Sequence, residues 1–420
     1  MKWRVCLLAL GVLTAATFGQ PWSEQTPMPY GATTIYSGGC LAAVPESLGA
    51  TIYGAKGHRT TEFYVYDVTA TAWAMRAPVP LGVEGKPVYD GACMVYDGAR
   101  YVYFVKGNYT LGFYRYDTQA DSWREMMNIP LGVYGTKVSG GTDIVYVTQQ
   151  GRGYLYLLKG YYNEFYLYDI AADTWGVLPP APVGVNEHWP DGSWLVFDGD
   201  STIYAHKAYY HELWVFHVVA SAWDTTARLG MPFIGRSNTR ARAGDGSCGT
   251  WHDGSFFALK GNGTNQFWQY YAARDSWVER ETIPPFGSTG RMKKVRNGGD
   301  LVTLGGLLYA QKGNYCNEFW RYTPTPTGVE EGCTLLDASL AKQVATVVRG
   351  VLYLRPSPFP LSEREGQGAR GRSVLLDVTG RRVMSLLPGP NDVRHLAPGV
   401  YFVRANGDRR IADSKVILAR

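Results

Sequence analysis

A short apolar run ending in lysine returns six times along this 420-residue chain, at a period of about fifty residues. Its copies are Tyr-Gly-Ala-Lys-Gly at 53–57, Tyr-Phe-Val-Lys-Gly at 103–107, Tyr-Leu-Leu-Lys-Gly at 156–160, Tyr-Ala-His-Lys-Ala at 204–208, Phe-Ala-Leu-Lys-Gly at 257–261 and Tyr-Ala-Gln-Lys-Gly at 309–313. Such a period means that one supersecondary unit recurs, and that each unit buries its apolar face only by stacking on the next. After each lysine comes a stretch of alternating apolar residues, such as Glu62-Phe63-Tyr64-Val65-Tyr66-Asp67, the period-two mark of a half-buried strand. In the first five copies a tryptophan stands 16 or 17 residues beyond the lysine, at Trp73, Trp123, Trp175, Trp223 and Trp277. Each opens a further short segment that runs into proline and glycine. Ahead of each lysine lies another strand, usually opened by a Gly pair or Asp-Gly, as in Gly38-Gly39-Cys40 and Asp90-Gly91-Ala92-Cys93. Four strands per unit make a β-propeller blade, so the expected fold is all-β with six blades.

The sixth copy lacks its tryptophan, because the chain turns instead into Thr323-Pro324-Thr325-Pro326-Thr327. The missing strand stands at the other end. Trp22 precedes Pro29 by the same seven residues that separate Trp73 from Pro80, Trp123 from Pro130 and Trp175 from Pro182. Residues 22–29 are therefore expected to complete blade six, leaving no open joint for edge pairing. The propeller is assigned to residues 20–323.

These units resemble kelch repeats over about residues 21–323, with two departures. Lys-Gly, or Lys207-Ala208 in the fourth unit, takes the place of the usual Gly-Gly pair. The Tyr-Asp before the fourth strand survives in Tyr66-Asp67, Tyr116-Asp117 and Tyr168-Asp169 but drifts to Phe216-His217, Tyr270-Tyr271 and Tyr322-Thr323.

The N-terminus has a charged start, an apolar run from Val5 to Thr17 and small residues before Gln20, which reads as a secretory signal over residues 1–19. That run is too short to cross a bilayer, and no later stretch approaches the roughly 20 apolar residues of a transmembrane helix. With Gly 50, Tyr 30 and only 18% charged residues, the composition suits short strands joined by turns and argues against disorder. The net charge of +5 is uneven: residues 345–420 hold 13 Lys+Arg against 6 Asp+Glu, leaving 28 against 30 elsewhere. A nucleic-acid binder would carry its basic excess on the recognition domain, so nucleic acid is not an expected partner. Of the cysteines beyond the signal, Cys40, Cys93 and Cys248 fall in innermost strands and read as small buried residues, whereas Cys316 and Cys333, in loop and linker, are the plausible disulfide partners.

Beyond a linker at 324–345, residues 346–420 change character. The segments Val351 to Phe359, Ser373 to Val383, Leu396 to Arg404 and Lys415 to Leu418 are short apolar strands parted by Gly turns, expected to form a small immunoglobulin-like β-sandwich. The Pro-Ser-Pro-Phe opening, Asp-Val-Thr-Gly-Arg-Arg-Val, Leu-Ala-Pro-Gly-Val-Tyr-Phe-Val-Arg and terminal Lys-Val-Ile-Leu resemble the C-terminal sorting domain of type IX secretion cargo. The resemblance implies passage through the outer membrane of a Gram-negative-type bacterium, engagement of that machinery by residues 346–420, and release or attachment at the cell surface.

The lysines Lys56, Lys106, Lys159, Lys207, Lys260 and Lys312 read as structural, each facing an acid across the next hairpin at Glu62, Glu164, Glu212 and Glu318, though Gly112 and Gln266 break the pattern. The tryptophans Trp22, Trp73, Trp123, Trp175, Trp223 and Trp277 read as blade packing. Binding is expected on the face where strand-two-to-three turns meet the connections between blades. There stand Tyr109, Tyr161, Tyr162, Tyr209, Tyr210 and Tyr315, with Arg236, Arg240, Arg242, Arg291, Lys293, Lys294 and Arg296, a set able to stack on and hydrogen-bond a glycan or a protein surface. There is no nucleophile elbow, phosphate loop or His-Glu-x-x-His pair, and neither a metal nor another cofactor is expected. His206, His211 and His217 match no ligand pair and read as surface residues. Some kelch-like propellers are sugar oxidases or isomerases, so the resemblance keeps a carbohydrate-active enzyme as the alternative to a surface binding protein. Asp191, Asp245 and Asp253 are carboxylates available for it.

Overall fold

The computed structural model describes residues 21–45, 50–324, 335–336, 346–348, 351–354, 373–377, 381–387, 389–405 and 414–418. The expected signal, most of the linker and Cys333 lie outside them. The chain is all-β and divides into two compact units, residues 1–324 and 325–420; among the described residues the only helical turn is the 3-10 turn Ala272–Arg274.

The first unit consists of antiparallel sheets of four strands, one of them with a fifth. The first sheet runs Cys40–Val44, Thr51–Ala55, Phe63–Asp67, Ala72–Met75, and the second Cys93–Tyr96, Tyr101–Val105, Phe113–Asp117, Ser122–Glu125. The third is Asp143–Gln149, Arg152–Lys159, Glu164–Asp169, Thr174–Val177. In the fourth, Trp194–Phe197, Thr202–Lys207 and Glu212–His217 are followed by Ala222–Trp223 and Arg228–Leu229, which both pair with the third strand. The fifth is Cys248–His252, Ser255–Leu259, Phe267–Tyr271, Ser276–Arg280. The sixth takes three strands from Asp300–Leu304, Leu307–Gln311 and Phe319–Tyr322, and its fourth is Trp22–Gln25, with Trp22 opposite Tyr322 and Gln25 opposite Phe319. The first strand of each sheet packs beside the first strand of the next, and that of the sixth returns to the first. Sheets closed in a ring around their innermost strands are consistent with a β-propeller.

The tryptophans clasp neighbouring sheets. Trp73 donates its indole N–H to Thr26 O (2.8 Å), Trp123 to Ala77 O (2.8 Å), Trp175 to Met127 O (2.9 Å), Trp223 to Pro179 O (3.0 Å), Trp277 to Leu229 O (2.8 Å) and Trp22 to Glu281 O (2.8 Å). In each case the acceptor lies at the outer end of the preceding sheet, so the indole N–H is satisfied where a half-buried aromatic ring, or in Trp22 a buried one, fills the joint.

All six repeat lysines are buried, and in the first five sheets the ammonium group turns to backbone carbonyls of the incoming connection: Lys159 donates to Pro130 O (3.0 Å) and Leu131 O (2.8 Å), Lys260 to Pro232 O (2.6 Å). Ion pairs accompany this in three sheets, Lys56–Glu62 at 3.2 Å, Lys159–Glu164 at 2.9 Å and Lys312–Glu318 at 2.6 Å. The fourth sheet departs from the expected pair: Glu212 accepts instead from Trp214 Nε1 (2.9 Å) and Val185 N (2.8 Å), while Lys207 bonds the carbonyls of Val183 and Asn186. A buried lysine that donates to the backbone or to a carboxylate in this way serves the frame.

The second unit holds a three-stranded sheet (Leu335–Leu336, Val351–Leu354, Gly389–Asp392) and a five-stranded one (Thr346–Val348, Ser414–Leu418, Gly399–Ala405, Ser373–Asp377, Arg382–Leu386). Leu375, Leu386, Val393 and Val403 form its core.

Candidate functional site at the channel mouth

Each connection enters its sheet through four residues that line a central channel holding ≈ 640 Å³ of free space, counted out to solvent at its mouth. In ring order these tetrads are Ser37-Gly38-Gly39-Cys40, Asp90-Gly91-Ala92-Cys93, Gly140-Gly141-Thr142-Asp143, Asp191-Gly192-Ser193-Trp194, Asp245-Gly246-Ser247-Cys248 and Asn297-Gly298-Gly299-Asp300. The second position is glycine throughout, at φ between +75° and +85°. A Cβ there would fall 2.0–2.4 Å from the backbone oxygen of the next connection. Only glycine permits this approach, and the close contact brings the six first-position residues together at one rim.

Three of those residues are carboxylates. Asp90 accepts from Ser37 Oγ (2.9 Å) and Gly140 N (3.0 Å), and Asp245 accepts from the Tyr209 hydroxyl (3.0 Å) with the Arg296 guanidinium at 3.9 Å. Among the described residues no other side chain donates to Asp191. Burial, then the charges of Asp90 and Asp245, push Asp191 up from 3.8 to about 7, and burial also raises Asp90. Carboxylates this close cannot all remain ionised without a donor or a cation to share.

The fourth-position layer comprises Cys40, Cys93, Asp143, Trp194, Cys248 and Asp300. Asp143 reaches across a joint to Leu195 N (2.8 Å) and Asp300 does the same to Leu41 N (2.7 Å), each also accepting from the following residue of its own strand at 2.8–2.9 Å. Both keep part of their surface on the lumen, yet protein surrounds them on every other side, and this burial pushes each up from 3.8 to about 7. The three thiols are held well above their ordinary range, by burial first and then by Asp300 and Asp143, which makes them unreactive at neutral pH.

A raised carboxyl value means that the folded ring binds protons that the unfolded chain has released. The stabilisation is complete below about pH 4 and is lost as pH rises through about 7. Thermal unfolding is therefore expected to occur at higher temperature at pH 5 than at pH 8, by about 1–2 kcal/mol per site after allowing for lumen water. In Asp143→Asn combined with Asp300→Asn the difference should shrink; an equal slope in that variant would place the proton uptake elsewhere.

The expected binding residues stand around this mouth. The strand-two-to-three turns bond the rim directly, with Asn108 N donating to Asp90 O (2.8 Å), Asn262 N to Asp245 O (2.8 Å) and Asn314 N to Asn297 O (3.0 Å). A second bond from each turn clamps the neighbouring connection, as from Tyr109 N to Val138 O (3.0 Å) and Tyr315 N to Ile35 O (3.0 Å). The double clamp puts Tyr109, Tyr161, Tyr209 and Tyr315 at φ +54° to +72°. Glycine occupies the corresponding place at Gly263, so a tyrosine there carries about 1–2 kcal/mol of backbone cost that glycine would avoid. Such a position points to a use for the ring. Tyr315 stacks on Tyr36 at 4.1 Å, and Tyr162 stacks on Tyr134 at 4.1 Å with Tyr161 edge-on at 5.0 Å. Tyr210 instead lies beneath the Lys207 ammonium at 5.2 Å. Arg240 and Arg242 lie over Phe233, Lys293 donates to Asn314 O and Tyr315 O (both 3.1 Å), and Arg291 and Lys294 are exposed.

Three readings of single residues change. His206 is fully buried, face to face with Trp194 at 4.9 Å, and burial drives it down to about 3, whereas His211 and His217 are exposed as expected. Asp253 sits in the turn between the first two strands of the fifth sheet, away from the tetrads that hold Asp191 and Asp245. Cys316 lies in a loop but is buried, and its expected partner Cys333 lies outside the described residues. Of the first-position carboxylates, Asp191 and Asp245 were named only as carboxylates available to an enzyme, and Asp90 and the convergence of the three were passed over. Their signal was the polar residue before the glycine that opens each first strand, which reads locally as ordinary turn chemistry.

No family model matches the chain, and no curated protein matches it. Among solved structures, one titled "Structure of YjhT" is similar with a TM-score of 0.49 and 13% identity, over 70% of this chain and 97% of its own.

Proposed function

We propose that this chain is an exported surface binding protein: a six-bladed kelch-like propeller that holds a glycan or peptide at its channel mouth, followed by an immunoglobulin-like sandwich that acts as a type IX sorting domain. The observation that carries the binding reading is the convergence of Asp90, Asp191 and Asp245 on one rim, where among the described residues no other side chain donates to Asp191. Sugar hydroxyls or a peptide amine would supply the missing donors, and charge-assisted hydrogen bonds of this kind are among the stronger ones. The stacked tyrosines beside the rim offer flat apolar faces to the same ligand. Strand segments at Val351–Leu354, Ser373–Asp377, Gly399–Ala405 and Ser414–Leu418, which fall on the sorting-domain motifs, support the C-terminal part. A glycan and surface-protein array tests the reading. Asp191→Asn should lose at least tenfold in affinity for the ligand found, and Tyr162→Ala, Arg240→Ala and Arg291→Ala lesser amounts; an array with no signal that depends on these residues would overturn it.

A second reading rests on Asp191 itself. A buried carboxyl raised to about 7 beside two other carboxylates is suited to moving a proton on a bound sugar. Turnover on sugars with an inflection near pH 7, abolished in Asp191→Asn while binding survives, would favour an enzyme.

A further inference from the structure

The geometry points to a docking sector for an anionic lipid surface, built from the two connections that enter the fifth and sixth sheets. Residues 230–243 and 284–297 contain seven Lys or Arg and no Asp or Glu. Three of the cations are engaged by the protein: Arg296 lies near Asp245, Arg236 donates to Glu279 O (2.7 Å), and Lys293 closes the turn at Asn314. The other four, Arg240, Arg242, Arg291 and Lys294, are exposed, and among the described residues none has a carboxylate within ion-pair distance. Between them protrude Ile234, Phe286 and Met292, 54%, 55% and 60% exposed. Unpaired cations interleaved with protruding apolar side chains are poorly matched to water and well matched to a bilayer interface, where the tips enter the headgroup boundary and the cations meet anionic lipid.

The rest of the ring supports the choice of a lipid surface over an acidic protein. After the proline that ends each fourth-strand segment, the other connections also expose an apolar tip, at Tyr30, Leu81, Leu131 and Val183, each directly before a glycine as Ile234 and Phe286 are. Tips at repeat-equivalent positions around a closed ring form an annulus rather than one cluster. Such an annulus offers a flat surface little to grip except a boundary that is itself flat and fluid. Only the fifth and sixth connections add a cation excess, so they are the sector that leads.

This inference shares Arg240 and Arg291 with the channel-mouth reading but does not involve Asp191. Its test is flotation of the intact exported chain with vesicles of phosphatidylcholine alone or mixed with phosphatidylglycerol. Binding is expected only to the mixed vesicles and should weaken steeply with salt. Arg240→Glu with Arg242→Glu should weaken it at least tenfold, and Phe286→Ser with Met292→Ser should weaken it several-fold at unchanged charge, both with melting temperature retained. Equal binding to neutral vesicles, no binding at low salt, or indifference to both variants would overturn the inference. So would salt-sensitive capture by dextran sulfate without vesicle binding, which would assign the sector to polyanionic polysaccharide. Asp191→Asn should leave vesicle binding unchanged, which separates this result from the fate of the channel-mouth reading.

Discussion

A chain lacking residues 20–30 is expected to melt at least about 10 °C below the intact chain, with the loss centred on the sixth sheet. Trp22–Gln25 supplies the whole fourth strand of that sheet. Trp22 is buried against Phe267 at 5.0 Å and Tyr322 at 4.9 Å and donates to Glu281 O, thereby touching both the fifth and sixth sheets. Beyond it, Met28 is buried and donates to Asn317 O (3.0 Å), and the Asn317 amide returns bonds to Met28 O (3.0 Å) and Pro29 O (3.1 Å). Trp22→Ala alone should cost about 3–5 kcal/mol, since a large ring leaves a joint that cannot collapse around the gap. Calorimetry on both variants checks this; a melting temperature unchanged by the deletion would mean that the ring closes without that strand.

The second large effect is expected at Lys312 and Glu318, whose side chains are both fully buried at 2.6 Å. Burial alone would raise Glu318, but the hydrogen bond from Lys312 and a second from Thr289 Oγ1 (2.5 Å) override it and hold the carboxyl below its ordinary value. Lys312→Met leaves that carboxylate buried and unpaired and should cost about 3–5 kcal/mol. Combined Lys312→Met and Glu318→Leu should recover much of the loss, because an apolar pair of similar volume carries no desolvation cost. Lys106→Met provides the contrast: Lys106 faces Gly112 and bonds the Leu81 carbonyl and the Tyr114 hydroxyl (3.4 Å), so no carboxylate is stranded and the cost should be smaller. Urea unfolding of Lys312→Met, Glu318→Leu, the double variant and Lys106→Met, against the unaltered chain, measures the coupling directly. If the double variant were no better than Lys312→Met, charge burial would not be the cause.

Much of the frame was legible because its causes are local. Period-two alternation places strands, glycine and proline place turns, and a fifty-residue period says that each unit must lean on a copy of itself. The seven-residue offset from Trp22 to Pro29 revealed the closing strand for the same reason: that unit carries the same local chemistry wherever the chain supplies it. The tyrosine turns were legible as a face, because alternation of strand direction brings turns and connections to one side.

The rim was not legible, and the reason is geometric. Asp90, Asp191 and Asp245 are some fifty to a hundred and fifty residues apart, and each alone is an ordinary turn aspartate. Only closure of the ring, with glycine letting adjacent backbones approach, packs them together and removes the water that would have kept their protons independent. The fate of the histidines followed the same rule, since His206 and His217 lie on one strand pair yet the stacking of Trp194 buried the first and left the second in water. The sequence by itself determined strands and turns, which near-neighbour interactions set, and its repeat pointed to the closing strand, whose pairing the fold then made across the whole ring. The tertiary structure alone decided which polar residues share a field, because that depends on distances across the ring axis which no local pattern encodes.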